Sequence, residues 1–135
     1  MGYVALCGWK EARGEGEDGI CGVLSVIRNR ALHWYYAEPE SYKFCIYYPL
    51  QFTSMSDRSD PQYHLMPADN DPVWQFCLIK ARELIADKLP DNTFGAMYYC
   101  NPQTMNQNGW FKKHIIDMPV AHPRLAVIGR HWFYA

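Results

Sequence analysis

The chain has 135 residues, of which 49% are hydrophobic and 16% aromatic, so it is of single-domain size and can bury a sizeable core. Its 13 lysines and arginines nearly balance 14 aspartates and glutamates, and no long basic run occurs, which disfavours nucleic acid as a partner. No segment is apolar over the length that a membrane-spanning helix requires. We therefore expect one monomeric domain over residues 1–135, without nucleic-acid binding or membrane insertion.

Helical periodicity predicts two consecutive helices at the start of the chain. Residues 3–13 contain no proline, and one face of this first helix holds the i, i+3, i+4 and i+7 positions Val4, Cys7, Gly8 and Glu11. Gly14 is expected to end it. Residues 15–30 then read as the clearest helix, with acidic residues at its positive end and an apolar stripe. Its polar end, Arg28-Asn29-Arg30, is expected to bond neighbouring backbone.

The rest of the chain reads as a long irregular segment, a third helix and two short strands. Residues 33–70 are rich in Tyr, Ser and Asp and carry four prolines that break regular elements, namely Pro39, Pro49, Pro61 and Pro67. A long loop inside a compact domain is usually functional. Asp71-Pro72 begins a helix that ends at Leu89-Pro90, and strands are predicted in 94–101 and in 126–134 around Gly129. The predicted fold class is α+β, mainly α, with a small hairpin or sheet.

Cysteine and histidine spacing gives no sign of a disulfide framework or a metal site. The five cysteines are odd in number, widely spaced and without a CxxC pair, so they are expected to be reduced core residues. The five histidines show no HExxH or comparable spacing, which argues against a metal-dependent amidase or peptidase. We predict no metal and no cofactor.

Glu11 is the candidate catalytic residue. It lies on the predicted buried face of the first helix, where desolvation favours the protonated form of a carboxyl group that can act as an acid. Gly8, one turn earlier, would leave room beside the carboxyl group for a substrate. The alternative is a solvated residue at the helix end, or one paired with Arg13 or Lys10.

Several segments together resemble, in order, the motifs of the SleB-like cell wall hydrolases. They extend from the first helix to the C-terminus and comprise Glu11-Ala12-Arg13-Gly14-Glu15 with Gly19, Val26-Ile27-Arg28-Asn29-Arg30, Gln51-Phe52-Thr53, Gly95-Ala96-Met97-Tyr98-Tyr99 and Ile128-Gly129-Arg130-His131-Trp132-Phe133-Tyr134. The resemblance implies a lysozyme-like transglycosylase fold and cleavage of peptidoglycan glycan strands, with Glu11 as the acid. It also implies substrate contacts at Gln51, Phe52, Tyr98, Tyr99 and His131.

Two further residues are expected to line the same groove. Asn101 follows the tyrosine pair, and Trp110 offers a flat ring on which a sugar could stack. Each of these assignments has a structural alternative. Phe52 could be a core anchor, His131 a packing residue, and one tyrosine of the alternating pair should point inward.

The resemblance implies cleavage between N-acetylmuramic acid and N-acetylglucosamine by lytic transglycosylation, which needs only one carboxyl group. The C6 hydroxyl of the muramic residue attacks its own anomeric carbon and closes a 1,6-anhydro ring, so a tethered nucleophile replaces a second side chain. Lysozyme-like hydrolysis would need a second carboxylate, for which Glu15, Asp57 and Asp60 are the candidates. A non-catalytic peptidoglycan-binding module is the other alternative.

The chain departs from the family pattern in two places. Trp9-Lys10 stands where a small or polar residue and a glycine usually precede the glutamate, and the 54–70 loop has no recognisable counterpart. Met1 leads directly into folded-looking sequence without the basic and apolar regions of a secretory signal. We therefore expect a protein made in the cytoplasm that acts at the cell wall, as a phage lysis protein, an endolysin, or a virion protein would.

Overall fold

The structure is a computed structural model that describes residues 1–34 and 41–135. Its helices are α1 (Gly2–Ala12), α2 (Gly16–Trp34), α3 (Ser41–Tyr47), α4 (Thr53–Ser56) and α5 (Pro72–Ile85). Its strands are β1 (Tyr98–Cys100), β2 (Arg124–Ile128) and β3 (His131–Tyr134), with a π-helical turn at Lys112–Ile116 between β1 and β2. None of the helices described is long and apolar enough to cross a lipid bilayer. The predicted mainly helical α+β fold class is confirmed.

Helix α1 is the centre of the helical core, since it contacts α2, α3, α4 and α5. Most of its residues are buried, including Val4 and Cys7, which are completely inaccessible. A Cβ atom on Gly8 would lie 3.0 Å from Cδ2 of Leu24 on α2. The missing side chain of Gly8 therefore allows α2 to approach closely, and the prediction that it leaves room for a substrate is wrong.

The starts of the long helices follow local signals, but their predicted ends are wrong, since α2 continues to Trp34 and α5 ends at Ile85, before Leu89-Pro90. The carboxylate of Asp71 accepts a hydrogen bond of 2.9 Å from the backbone N–H of Val73, so it caps α5 as predicted. Helix α1 ends at Ala12, before the predicted break at Gly14. Gly16, the first residue of α2, has the left-handed backbone conformation at this junction, with φ of +76°.

The polar end of α2 binds the backbone that leads into the sheet. Arg28 Nη1 donates to the carbonyl oxygen of Leu89 at 2.6 Å, Asn29 Nδ2 to that of Ala96 at 3.0 Å, and Arg30 Nε to that of Met97 at 2.7 Å. Three consecutive side chains thus fix the segment before β1. The expectation that this helix end bonds neighbouring backbone is confirmed.

The three strands form an antiparallel sheet in the order β1-β3-β2. Tyr99 of β1 is opposite Phe133 of β3, and β2 and β3 form a hairpin that turns at Gly129, whose φ is +59°. Phe133 is fully buried and packs with Val26 of α2 and Ala96. The sheet therefore lies against α2, which places β1 beside the end of α1.

The prediction that residues 33–70 lack regular structure is wrong in two places. Helices α3 and α4 lie within this stretch, and the apolar residues Cys45 and Ile46 of α3 are fully buried in the main core. Both helices are too short to produce a recognisable period in the sequence. Packing against α1 and α2 stabilises α3, and packing against α1 and α3 stabilises α4. Pro39, one of the predicted helix breakers, lies outside the described residues.

All five cysteines are free thiols, and Cys21 alone is not fully buried. Burial raises the pKa of Cys77 to about 12 and that of Cys100 to about 11, so neither forms the reactive thiolate near neutral pH. Burial also raises the pKa of Cys21, so we expect Ellman's reagent to react with this partly exposed thiol slowly but ahead of the other four, and with all five cysteines after unfolding. Cys21→Ser should remove the first of these reactions, and modification of Cys77 before Cys21 would contradict the prediction.

Candidate active site

A cleft of about 530 Å³ lies where the end of α1, the segment before α4, strand β1 and the residues before the π-helical turn meet. The lining residues are Glu11, Arg30, Trp34, Pro49, Leu50, Gln51, Phe52, Thr53, Tyr98, Tyr99, Trp110 and Phe111. Most of these are aromatic or carry a hydrogen-bonding group. Such a lining suits a ligand with both flat apolar faces and many hydroxyl groups, as a sugar chain has.

Glu11 lies in this cleft with both carboxylate oxygens hydrogen-bonded. Oε1 accepts from the hydroxyl of Ser54 at 2.5 Å, and Oε2 accepts from the hydroxyl of Tyr99 at 2.5 Å. The side chain is half-buried, so it is neither sealed in the core nor fully solvated. Two hydroxyl donors from different elements thus hold the carboxyl group at a defined position on the cleft wall.

Tyr99 remains a hydrogen-bond donor over the whole physiological range. Burial raises the pKa of its phenol well above the ordinary value, and the negative charge of Glu11 raises this pKa further. Its ring packs 5.0 Å from that of His131 and 5.8 Å from that of Phe133, measured between centroids. The strand and this aromatic packing together aim the hydroxyl group at Glu11.

Lys10 positions the second donor. Its ammonium group is buried and donates to the backbone carbonyl oxygens of Ser54 at 3.2 Å and Tyr63 at 2.6 Å. Burial lowers the pKa of Lys10 below its usual value, while the negative charge of Asp60 acts in the opposite direction. Lys10 therefore ties α1 to α4, on which Ser54 lies, and to the loop that follows.

The unusual pair Trp9-Lys10 points away from the cleft. Trp9 Nε1 donates to the carboxylate of Asp71 at 2.9 Å, and neither residue lines the cleft. Arg13 donates to the backbone oxygen of Lys10 and to the side chain of Gln62. The described contacts therefore do not pair Glu11 with Arg13 or Lys10, which was the structural alternative.

The other candidate carboxylates are occupied elsewhere. Asp57 accepts from the backbone and hydroxyl of Ser59, and Asp60 accepts from Thr53 and from the backbone of Gln62, as expected of turn-forming aspartates. Neither lines the cleft. Among the described lining residues, Glu11 is the only carboxylic acid.

Glu15 binds the turn of the β2–β3 hairpin. One of its oxygens lies 2.8 Å from Nη2 of Arg130, and the other accepts from the backbone N–H of Arg130 at 3.1 Å. Burial alone would raise the pKa of Glu15, but the hydrogen bonds from Arg130 outweigh it and the pKa lies below its usual 4.5. Glu15 therefore stabilises the contact between the start of α2 and the sheet.

Glu15→Gln is expected to lower the free energy of unfolding by about 1 kcal/mol at neutral pH, because Arg130 is largely exposed and solvent screens the pair. Since folding lowers the pKa of Glu15, its charge stabilises the fold above pH 4.5 and this contribution disappears as pH falls through the folded-state pKa. Thermal melts of both proteins across pH check this. A gap in melting temperature that persists unchanged in strong acid would contradict it.

The structure brings together most of the predicted substrate residues. Gln51, Phe52, Tyr98, Tyr99 and Trp110 all line the cleft with Glu11. Trp110 is 59% exposed and stacks on His114 with an interplanar angle of 14°. Phe52 is 2% exposed, so it both anchors the core and forms part of the wall. Their roles toward a substrate stay predictions.

Two predicted residues lie outside the cleft lining. Asn101 forms a turn in which its side chain accepts from the backbone N–H of Gln103 at 3.0 Å. His131 is buried behind Tyr99, and burial lowers its pKa although the charges of Glu15 and Glu11 raise it. Its Nδ1 has no hydrogen-bond partner among the described residues. His131 therefore packs against Tyr99, which in turn donates a hydrogen bond to Glu11.

Sequence reasoning did not identify two polar residues of the site. Ser54 directly follows the Gln51-Phe52-Thr53 motif, and its position after that motif is the only signal that could have indicated it. Arg30 belongs to a recognised motif but was expected only to bond backbone. The other lining residues missed in the same way are Trp34, Pro49, Leu50, Thr53 and Phe111.

Comparison with known families assigns the chain to one of them. The family model described as Cell Wall Hydrolase matches residues 14–134, nearly the whole chain, although Glu11 precedes the matched range. The chain belongs to the cell wall hydrolase family. A curated relative, the spore cortex-lytic enzyme of Oceanobacillus iheyensis, is 32% identical over 125 residues, which cover 91% of this chain. The chain spans 37% of the length of that relative.

Solved structures of this family have the same fold. The catalytic domain of the germination-specific lytic transglycosylase SleB from Bacillus anthracis is 25% identical, with a TM-score of 0.66 over 99% of this chain and 92% of that one. The catalytic domain of Bacillus cereus SleB is also 25% identical, with a TM-score of 0.68 over 99% and 88% of the two chains. The SleB-like family and its lysozyme-like fold, both predicted, are confirmed. These relatives give no support to a phage origin.

Proposed function

We propose that this cell wall hydrolase cleaves peptidoglycan between N-acetylmuramic acid and N-acetylglucosamine by lytic transglycosylation, with Glu11 as general acid and base. The observation that carries the proposal is that the described lining residues contribute a single carboxyl group to the cleft. Ordinary glycosidases flank the scissile bond with two carboxyl groups. Glu11 alone among the described lining residues is acidic, and the other candidates bind Arg130 or backbone.

The reaction balances with one carboxyl group. Protonated Glu11 gives its proton to the glycosidic oxygen as the bond from that oxygen to the anomeric carbon breaks. The C6 hydroxyl oxygen of the same muramic residue forms the new bond to the anomeric carbon, and its proton passes to the Glu11 carboxylate. The acid is restored, and no water is consumed. Tethering of the nucleophile gives a high effective molarity.

The hydroxyl groups around Glu11 suit both halves of this cycle. Tyr99 and Ser54 donate to the carboxylate and stabilise the charge that remains after proton transfer. A hydroxyl group can also rotate and accept from the protonated acid, which an ammonium donor cannot. The pair therefore keeps the carboxyl group in place in both protonation states.

The other lining residues suit a glycan strand. The exposed ring of Trp110 offers a stacking face for a sugar, and the Gln51 amide can bond an N-acetyl or hydroxyl group. The structural relative from Bacillus anthracis is a germination-specific lytic transglycosylase, which supports this reaction class. The family description names the cell wall as the target, and we propose that the glycan of this wall is the substrate.

The test is digestion of purified peptidoglycan with the wild-type protein, with soluble products analysed by mass spectrometry. We expect products lighter than hydrolytic ones by the mass of one water, because the anhydro ring forms without water. Reducing-end products would contradict transglycosylation and indicate lysozyme-like hydrolysis. Sedimentation of the protein with cell walls but no soluble product would instead favour the non-catalytic binding module.

A further inference from the structure

Arg30 is a buried cation in the wall of the candidate cleft. Arg30 is only 7% exposed, yet it lines the cleft together with Glu11 and Gln51. Arg30 lies in the penultimate turn of α2, which packs between the helical core and the sheet. Its buried position on a packed helix makes it a fixed part of the cleft wall.

Neutral groups hold the Arg30 guanidinium. Its carbon atom lies 5.0 Å from the ring centroid of Phe52, 5.6 Å from that of Trp34 and 5.7 Å from that of Tyr98. Nε donates to the backbone oxygen of Met97 at 2.7 Å, and Nη1 makes two longer contacts of 3.3 Å with the backbone and side-chain oxygens of Gln51. These contacts fix the plane of the guanidinium group.

No acid among the described residues pairs with the charge of Arg30. Within residues 1–34 and 41–135, no carboxylate forms an ion pair with it and no acceptor bonds Nη2. By contrast, Arg130 pairs with Glu15 and Arg28 lies 4.0 Å from Asp87. A buried cation without a charged partner is costly, and a planar guanidinium with free N–H groups matches a carboxylate.

We infer that Arg30 binds a carboxylate of the muramic residue in the cleft and so makes the protein select charged glycan strands. This inference rests on the proposed function. Of the two sugars of peptidoglycan, only N-acetylmuramic acid carries a lactyl group, whose carboxylate is free where the stem peptide is absent and amide-linked where it is present. In the second case the stem peptide supplies the carboxylate. In both cases the group that Arg30 would bind is a carboxylate, supplied either by the lactyl group or by the stem peptide.

The experiment measures binding without turnover, with Glu11→Gln as the parent protein. The probes are peptidoglycan strands stripped of stem peptides by an amidase, the same strands after methyl esterification of their carboxylates, and intact strands before and after esterification. Binding is measured by sedimentation. We expect esterification of stripped strands to weaken binding about tenfold to a hundredfold, the range for a hydrogen bond to a charged group. Loss of binding only when intact strands are esterified would support recognition through the stem peptide.

Arg30→Met in the Glu11→Gln parent is the matched variant, because methionine keeps apolar contact with the three rings and removes the charge. It should bind free and esterified strands equally. The proposal would be overturned if the difference between free and esterified strands survived in this variant. It would also be overturned if the parent bound free and esterified strands equally in both the stripped and the intact pair. If Arg30→Met fails to fold, the comparison of free with esterified strands by the parent still decides. Because no step requires cleavage, failure of the proposed reaction would appear separately, as an absence of products from the wild type.

Discussion

Glu11→Gln is expected to lower the rate of product release from peptidoglycan by about a thousandfold or more, since positioned general acid–base groups contribute on the order of 10²–10⁴-fold and the same group acts in both steps here. Glutamine retains the shape of the side chain and one oxygen that can accept from Ser54 or Tyr99. It cannot donate a proton to the glycosidic oxygen. The rate of soluble muropeptide release, followed by chromatography, checks this prediction.

Glu15→Gln is the matched control for that experiment. Glu15 lies four residues further along the chain, but both of its oxygens bind Arg130 rather than the cleft. The control should therefore keep most of the wild-type activity under conditions where it is folded. If Glu15→Gln abolished turnover and Glu11→Gln did not, the assignment of the catalytic acid would be wrong.

Tyr99→Phe is expected to lower turnover about tenfold to a hundredfold, because it removes one of the two hydroxyl groups that hold the Glu11 carboxyl group. The phenylalanine ring keeps the packing against His131 and Phe133, so the melting temperature should change little. The effect should fall mainly on kcat, because the variant alters the position and charge stabilisation of the acid. Steady-state rates on soluble glycan strands, with thermal melts, check this.

Tyr134→Phe is a suitable control in the same sheet. Tyr134 is buried on β3, opposite Tyr98, does not line the cleft and is not one of the hydroxyl donors to Glu11. This variant should retain wild-type turnover. If Tyr99→Phe behaved like the control, the hydrogen bond to Glu11 would have no catalytic role, and Ser54 would remain as the single positioning donor.

Local signals in the chain were sufficient to predict the long elements. The apolar period of residues 15–30, the Asp71-Pro72 helix start and the turn around Gly129 each depend on neighbours within a few residues, and each appears in the structure. The short helices α3 and α4 were missed because packing against other helices, α1 above all, stabilises them rather than a local pattern. The role of Gly8 was predicted wrongly for the same reason, because it depends on Leu24 of another helix.

The sequence by itself determined the family, the mainly helical fold class and the identity of the candidate acid, because ordered motifs and a carboxyl group at a helix end are local properties of the chain. Only the tertiary structure decided what surrounds that acid. Ser54 and Tyr99 lie 43 and 88 residues from Glu11 in sequence, and no periodicity connects them with it. The same holds for Arg30, which has no acidic partner within residues 1–34 and 41–135, since an ion pair depends on three-dimensional proximity rather than on residue spacing.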